Sequence, residues 1–299
     1  MRRLRFAIEA AVFALLMQLA RVLPFRLLQR IGSVAGSLFY LANGRHRRIT
    51  HENLQACLGE ELGPDGVRRV ARAVWRHFGR ITFDTLALPR LGPDSVGRLV
   101  HYEGLEHLRE ATARGRGVLA FSAHFGHWEL AAVMQAHLGY PLALITRPLD
   151  NVRLERLLAR LRGCSGNRVV HKRDAVKEML RALNRKMGVA ILIDQDARDA
   201  GIFVPYFGRL ASTTPTLALL AARTGAALLP CFAVPRPDGS YHITYGPIVE
   251  WESSGDRATD VQHLTERCTA IVESWVRRHP EAWLWMHRRW KTRPPEETA

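Results

Sequence analysis

Cysteine is scarce, and its four residues, at 57, 164, 231 and 268, form no CxxC pair. That scatter argues against a disulfide framework and against structural zinc. Lysine is scarce too. It stands only at 172, 177, 186 and 291, and every other basic residue is arginine. Arginine suits bidentate phosphate contacts, and codon bias explains the same count equally well. No GxGxxG follows a strand and no Walker loop occurs, so nucleotide binding has no signature. No GxSxG elbow marks a serine hydrolase. Internal repeats and low-complexity segments are missing as well.

What the chain does have is positive charge. Its 299 residues carry a formal charge of +15, and the pI is about 10.7. Such a chain attracts anionic partners: nucleic acid, anionic lipid, phosphorylated sugars or an acidic carrier protein. Hydrophobic residues make up 47%, as in a globular or membrane-attached protein rather than a disordered one. The length allows one large α/β domain or two smaller ones.

The N-terminus opens with Arg2, Arg3 and Arg5. Phe6–Leu23 follows, apolar except for Glu9, Gln18 and Arg21. A basic start and an apolar core fit a signal peptide, but no small-x-small cleavage site precedes Pro24. A spanning helix needs ~20 apolar residues, and this stretch is interrupted. Arg26, Arg30, Arg45, Arg47 and Arg48 crowd its far side, so charge gives no orientation. An interfacial anchor or a shallow, tilted insertion fits better than a span. A core helix of a soluble domain is the other reading. Leu27–Ala42 reads as a second apolar helix, whose Gly32, Ser33, Ala35, Gly36 and Ser37 permit close packing. Residues 1–42 are therefore expected to be an N-terminal membrane anchor with a packing helix. Residues 43–299 are expected to be the catalytic domain.

Arg45–Asn53 is polar and basic, and Asp65–Leu88 carries an apolar stripe at helical spacing. After that, strands and helices alternate. Val118–Phe121, Pro141–Thr146, Gly188–Ile193 and Ala227–Val234 read as buried strands. Leu130–Leu138, Val152–Leu161, Asp174–Lys186 and Pro215–Arg223 read as helices, and Thr259–Arg278 as a long one. The alternation predicts an α/β fold: a mixed, largely parallel sheet flanked by helices. Ligands of such folds bind outside the carboxyl ends of the strands. Three polar clusters stand there, at His124, Arg147 and Asp194. Gly201–Gly208 is an apolar, aromatic loop that either lines an acyl pocket or covers the core.

The stretch Gly117–Leu130 is the most informative. It ends a strand and starts a helix, and it holds His124 and Glu129 in a His-x4-Glu pattern. On a regular helix five residues at ~100° each leave the two side chains about 140° apart. They can meet if His124 lies in the turn before the helix, with Gly126 allowing the bend. That arrangement gives a base and an orienting carboxylate. The alternative is a strand-end histidine and a helix-start glutamate that suits the dipole. His124, His127, Glu129 and the two aspartates can also be read as metal ligands, but HxxH-x-E is not a standard spacing. An exposed place at the helix start is the expectation for His127.

Several motifs in order resemble one family: HFGHWE at 124–129, TRPLDN at 146–151, and Arg162 with Gly166, Asn167 and Arg168. IDQD at 193–196, FVPYFG at 203–208 and WLWMHRRWK at 283–291 follow. The chain resembles the lipid A biosynthesis acyltransferases of the lauroyl and myristoyl transferase type over most of its length. The resemblance implies a glycerolipid-acyltransferase-like fold. It also implies transfer of a fatty acyl chain from acyl carrier protein to a hydroxyl of a lipid A precursor, at the cytoplasmic face of the inner membrane. His124 is then the base, Glu129 fixes its tautomer, and Arg162 answers the developing oxyanion. Read alone, Arg162 is a solvated arginine on a helix. Asp194 would orient Arg162 or the acceptor, and Asp196 would join it in binding substrate. Arg147 would do the same or contact phosphate. Arg288 and Arg289, among Trp285, Trp290 and Lys291, look like an interfacial aromatic-basic edge or plain packing. No metal or organic cofactor is required.

The implied partners are acyl carrier protein, a phosphorylated glycolipid acceptor and inner-membrane lipid, with no nucleic acid. Relatives acylate other glycolipids, such as mannosylated phosphatidylinositol, so another acceptor or a coenzyme A donor stays open. A basic binding module without catalysis is the third reading. It lacks the interleaved aromatic and basic residues of a nucleic-acid surface.

Overall fold

The computed structural model describes residues 2–146, 148–171 and 175–294. Two helices lead, α1 (Arg2–Val22) and α2 (Phe25–Ala42). A long α3 (Gly44–Leu86) follows. It is bent at Gly63–Pro64, where Gly63 leaves helical geometry at φ 65° and proline removes a donor. The basic stretch Arg45–Asn53 is therefore helix, extending the expected one by some twenty residues on its N-terminal side.

Strand β1 (Val100–Glu103) and helix α4 (Leu105–Ala113) open the alternating part. Then come β2 (Val118–Ser122), α5 (Trp128–His137), β3 (Leu142–Thr146), α6 (Val152–Arg162) and β4 (Arg168–His171). Next are α7 (Ala175–Asn184), β5 (Gly188–Leu192), β6 (Ile202–Tyr206) and β7 (Arg209–Thr213). The chain finishes with α8 (Thr216–Thr224), β8 (Ala227–Pro235), β9 (Tyr241–Tyr245) and α9 (Arg257–Arg278). Asp174, the expected start of the seventh helix, lies outside the described residues.

Seven strands make one sheet in the order β1-β9-β8-β2-β5-β3-β4. Every pairing is parallel except β8–β9. The mixed, largely parallel sheet flanked by helices is thus as expected. β2 lies in its middle, and all of Val118–Phe121 is buried, as suits a strand covered on both faces. One face packs against α3, α7, α8, α9 and the C-terminal tail, the other against α4 and α5.

α2 lies tight along α3, as its small residues anticipated. A Cβ on Gly36 would sit 2.0 Å from the Trp75 carbonyl oxygen, and one on Gly79 2.2 Å from that of Gly32. Only glycine allows that approach.

One expectation changes, and two readings left open by the sequence narrow. Gly201–Gly208 is not a loop but strand β6 and the turn of the β6–β7 hairpin, with Tyr206 and Phe207 buried in the core. WLWMHRRWK is no interfacial edge: Trp283, Trp285 and Arg289 are fully buried and Trp290 nearly so. Its rings pack on Tyr206 and Phe207, which explains the hairpin's aromatic sequence. Finally, no helix among the described residues is long and apolar enough to cross a membrane. α1 and α2 instead expose apolar residues in stripes. Leu4, Ile8, Val12, Leu15, Leu19 and Val22 follow one face of α1. Leu27, Ile31, Val34, Leu38 and Leu41 follow one face of α2. Spacings of three and four residues keep each set on a single stripe.

Candidate active site

The register of β2 on β5 builds the site. Ser122 pairs with Leu192, and the Ile193 N–H donates to the Ser122 carbonyl at 3.1 Å. Two residues further along each strand stand His124 and Asp194, brought side by side from 70 positions apart. The His124 ring lies 2.9 Å from Asp194, Nδ1 to Oδ1. Its backbone N–H donates to Asp194 Oδ2 at 2.9 Å, and Trp283 Nε1 donates to the same oxygen at 2.8 Å.

Asp194 is buried, and burial alone would push its pKa up. The His124 ring and the N–H donors win and hold it at about 2. An ionised carboxylate only accepts, so the proton sits on His124 Nδ1 and the lone pair on Nε2. Burial pulls the pKa of His124 down, but Asp194 overcomes this, with help from Glu129, and the net shift is upward.

The expected pairing of His124 with Glu129 is not made. Glu129, in the first turn of α5, binds Arg162 at the end of α6. Arg162 Nε reaches its two oxygens at 2.9 and 3.1 Å, and Nη2 reaches Oε1 at 2.7 Å. Asp194, expected to orient Arg162 or the acceptor, orients His124 instead. The reason is geometric. Glu129 reaches the end of α6, while the end of the neighbouring strand β5 lies directly beside His124.

Gly126 and His127 shape the turn between them. Gly126 has φ 57°, and a Cβ there would lie 1.8 Å from the Ala233 carbonyl oxygen. His127 is not exposed as expected but buried, and its ring accepts from the Leu130 N–H as the cap of α5. Burial pushes its pKa down to about 3. His77 of α3 touches the Gly126 carbonyl through Nε2 at 3.3 Å and is likewise pushed down, to about 4, by burial.

A cavity of about 1130 Å³ opens at His124. Glu129, Arg162, Gln195 and Asp196 make its polar mouth. Ala120, Ala132, Leu142, Leu144 and Ala190 line its depth, running between the sheet and α5. Asp196 is largely engaged within the protein. It accepts from the Arg198 N–H and from Thr292 Oγ1, while its own N–H donates to His287 Nε2. Arg147 lies outside the described residues. Among the described residues no three His, Cys, Asp or Glu side chains gather as a metal site.

Sequence reasoning missed Trp283 and Gln195. Trp283 lies 89 positions from the carboxylate it holds, and its only local signal was an aromatic-rich tail.

The profile of the bacterial lipid A biosynthesis acyltransferases matches residues 1–292. The chain is similar to the lipid A biosynthesis lauroyltransferase of Escherichia coli, 29% identical over 91% of this chain and 88% of the relative. It is as similar to the lipid A biosynthesis palmitoleoyltransferase of that organism, 29% over 93% and 89%. It is 24% identical to the phosphatidylinositol mannoside acyltransferase of Mycolicibacterium smegmatis, over 91% of this chain and 88% of the relative.

Proposed function

The chain belongs to the bacterial lipid A biosynthesis acyltransferase family, and we propose that it esterifies a hydroxyl of a lipid A precursor with a fatty acyl chain from acyl carrier protein. One observation carries the proposal. His124 has one ring nitrogen locked on a buried carboxylate and the other turned to a cavity that is polar at its mouth and apolar in its depth.

In this reading His124 Nε2 takes the proton of the acceptor hydroxyl as its oxygen attacks the thioester carbonyl. Asp194 stabilises the imidazolium that forms. Arg162, fixed by Glu129, donates to the oxyanion. The carbon–sulfur bond then breaks, and the carrier's thiolate takes the proton back from His124. The apolar depth suits the acyl chain, and Asp196 and Arg147 serve the acceptor.

The stripes on α1 and α2 support attachment in the membrane interface, with residues 1–42 as the attaching unit and 43–299 as the catalytic one. Arg2, Arg3, Arg5, Arg26 and Arg30 suit anionic lipid at the cytoplasmic face of the inner membrane. The similarity to a mannoside acyltransferase favours one second reading, the same chemistry on another glycolipid.

Purified protein in detergent, given a phosphorylated lipid A precursor and a panel of carrier-protein and coenzyme A thioesters, tests the proposal. Mass spectrometry is expected to show a gain of one acyl chain from a carrier-protein donor, lost in His124→Ala. No gain from any donor, with folded protein, would overturn it. A gain confined to another glycolipid would move the acceptor.

A further inference from the structure

The C-terminal tail clasps the segment 194–196 at every residue. Trp283 donates to the Asp194 carboxylate, Arg289 Nη1 to the Gln195 carbonyl at 3.3 Å, and His287 accepts the Asp196 N–H at 3.1 Å. The backbone of Gln195 is thus pinned on both sides. Its side chain is exposed at the cavity mouth, and its one hydrogen-bond partner among the described residues is His124, Nε2 to Nε2 at 3.4 Å. With the proton on Nδ1, the free nitrogen of His124 accepts, so the amide presents an N–H to it.

We propose that Gln195 guards the general base: its amide occupies His124 Nε2 until an acceptor hydroxyl displaces it, and so keeps water from hydrolysing the thioester. The inference rests on the acyl-transfer reading above. A base with a bare lone pair beside a thioester would also activate water. Water would lose a proton to Nε2 and its oxygen would attack the carbonyl. The carbon–sulfur bond would break, and the imidazolium would protonate the thiolate, leaving free fatty acid and thiol. One long hydrogen bond is a light latch. An acceptor glycolipid brings many contacts of its own and can displace it, whereas a single water brings few. An amide also suits the place because it is neutral. A carboxylate there would raise the pKa of the ring and keep it protonated.

The experiment measures free fatty acid released from acyl carrier protein thioester without acceptor, and ester formed with acceptor, using the full chain. Gln195→Ala is expected to raise acceptor-free hydrolysis roughly fivefold, the effect of losing one ordinary hydrogen bond. The double variant with His124→Ala is expected to abolish that release, which assigns it to this site. Gln195→Glu is expected to move the acid limb of the transfer profile to higher pH. A remote exposed side chain would not move it. If wild type transfers but Gln195→Ala hydrolyses no faster, or Gln195→Glu leaves the limb in place, the guard is wrong and the acyl-transfer reading survives. If wild type forms neither ester nor fatty acid from any thioester, both fall.

Discussion

Asp194 is a buried carboxylate held ionised by donors from three directions, and the chemistry proposed for His124 depends on it. Trp283 supplies one of those donors from the tail. A hydrogen bond to a charged group contributes about 1.5–3 kcal/mol. Trp283→Phe keeps an aromatic ring in place but drops the donor, so kcat is expected to fall roughly ten- to a hundredfold. Steady-state kinetics on protein shown to be folded would check this, and an unchanged kcat would contradict the role given to Trp283. At this scale the turn of HFGHWE and the candidate base in it were legible because their residues are neighbours, but the burial of His127 was not. The partner of His124 was not. Glu129 is five residues away and Asp194 is seventy, and only the register of β2 on β5 decides between them.

At the scale of the element, the turn into α5 rests on buried, neutral histidines. His127 caps the helix and His77 holds the turn's carbonyl. Their pKa values are pushed down by burial to about 3 and about 4, against ~6.5 in the unfolded chain. As pH falls below ~6.5 the unfolded state binds protons that the folded state refuses, so stability falls with pH. Asp84, pushed up to about 6 by burial, works the other way in part of this window. His124, raised by Asp194 against its burial, opposes the loss too, whereas His51, His279 and His287 are lowered by burial and add to it. The melting temperature is therefore expected to drop between about pH 6.5 and 4.5. His127→Asn retains a good capping residue and removes one titrating group, so its drop should be shallower. An identical pH dependence would refute the assignment. Strands and helices of the alternating part were legible from their periodicity. The β6–β7 hairpin was not: its apolar, aromatic sequence reads as a loop, and pairing with packing against the tail decided the outcome.

At the scale of the whole molecule, the parallel sheet gathers three distant segments at the carboxyl end of β2. The Glu129–Arg162 pair and His124, backed by the buried Asp194, border one cavity. The N-terminal apolar run was legible, with an interfacial anchor or a core helix as its readings; which of its residues are exposed, and that they form stripes, came from the structure. The tail was open between an interfacial edge and packing, because tryptophan beside arginine suits either; here each ring has a core partner.

The most direct test of the central claim is the pH–rate profile of acyl transfer by wild type, Asp194→Asn and Glu129→Gln, read by mass spectrometry. The pKa of His124 is raised in the folded protein, so wild-type activity is expected to fall off on the acid side at a pH above ~6.5. Asp194→Asn is expected to lose about a hundredfold or more in rate and to move any residual limb to lower pH. Glu129→Gln is expected to lower the rate with a smaller move of the limb. A wild-type rate and limb in Asp194→Asn, with both lost in Glu129→Gln, would contradict the account and restore Glu129 as the partner of the base.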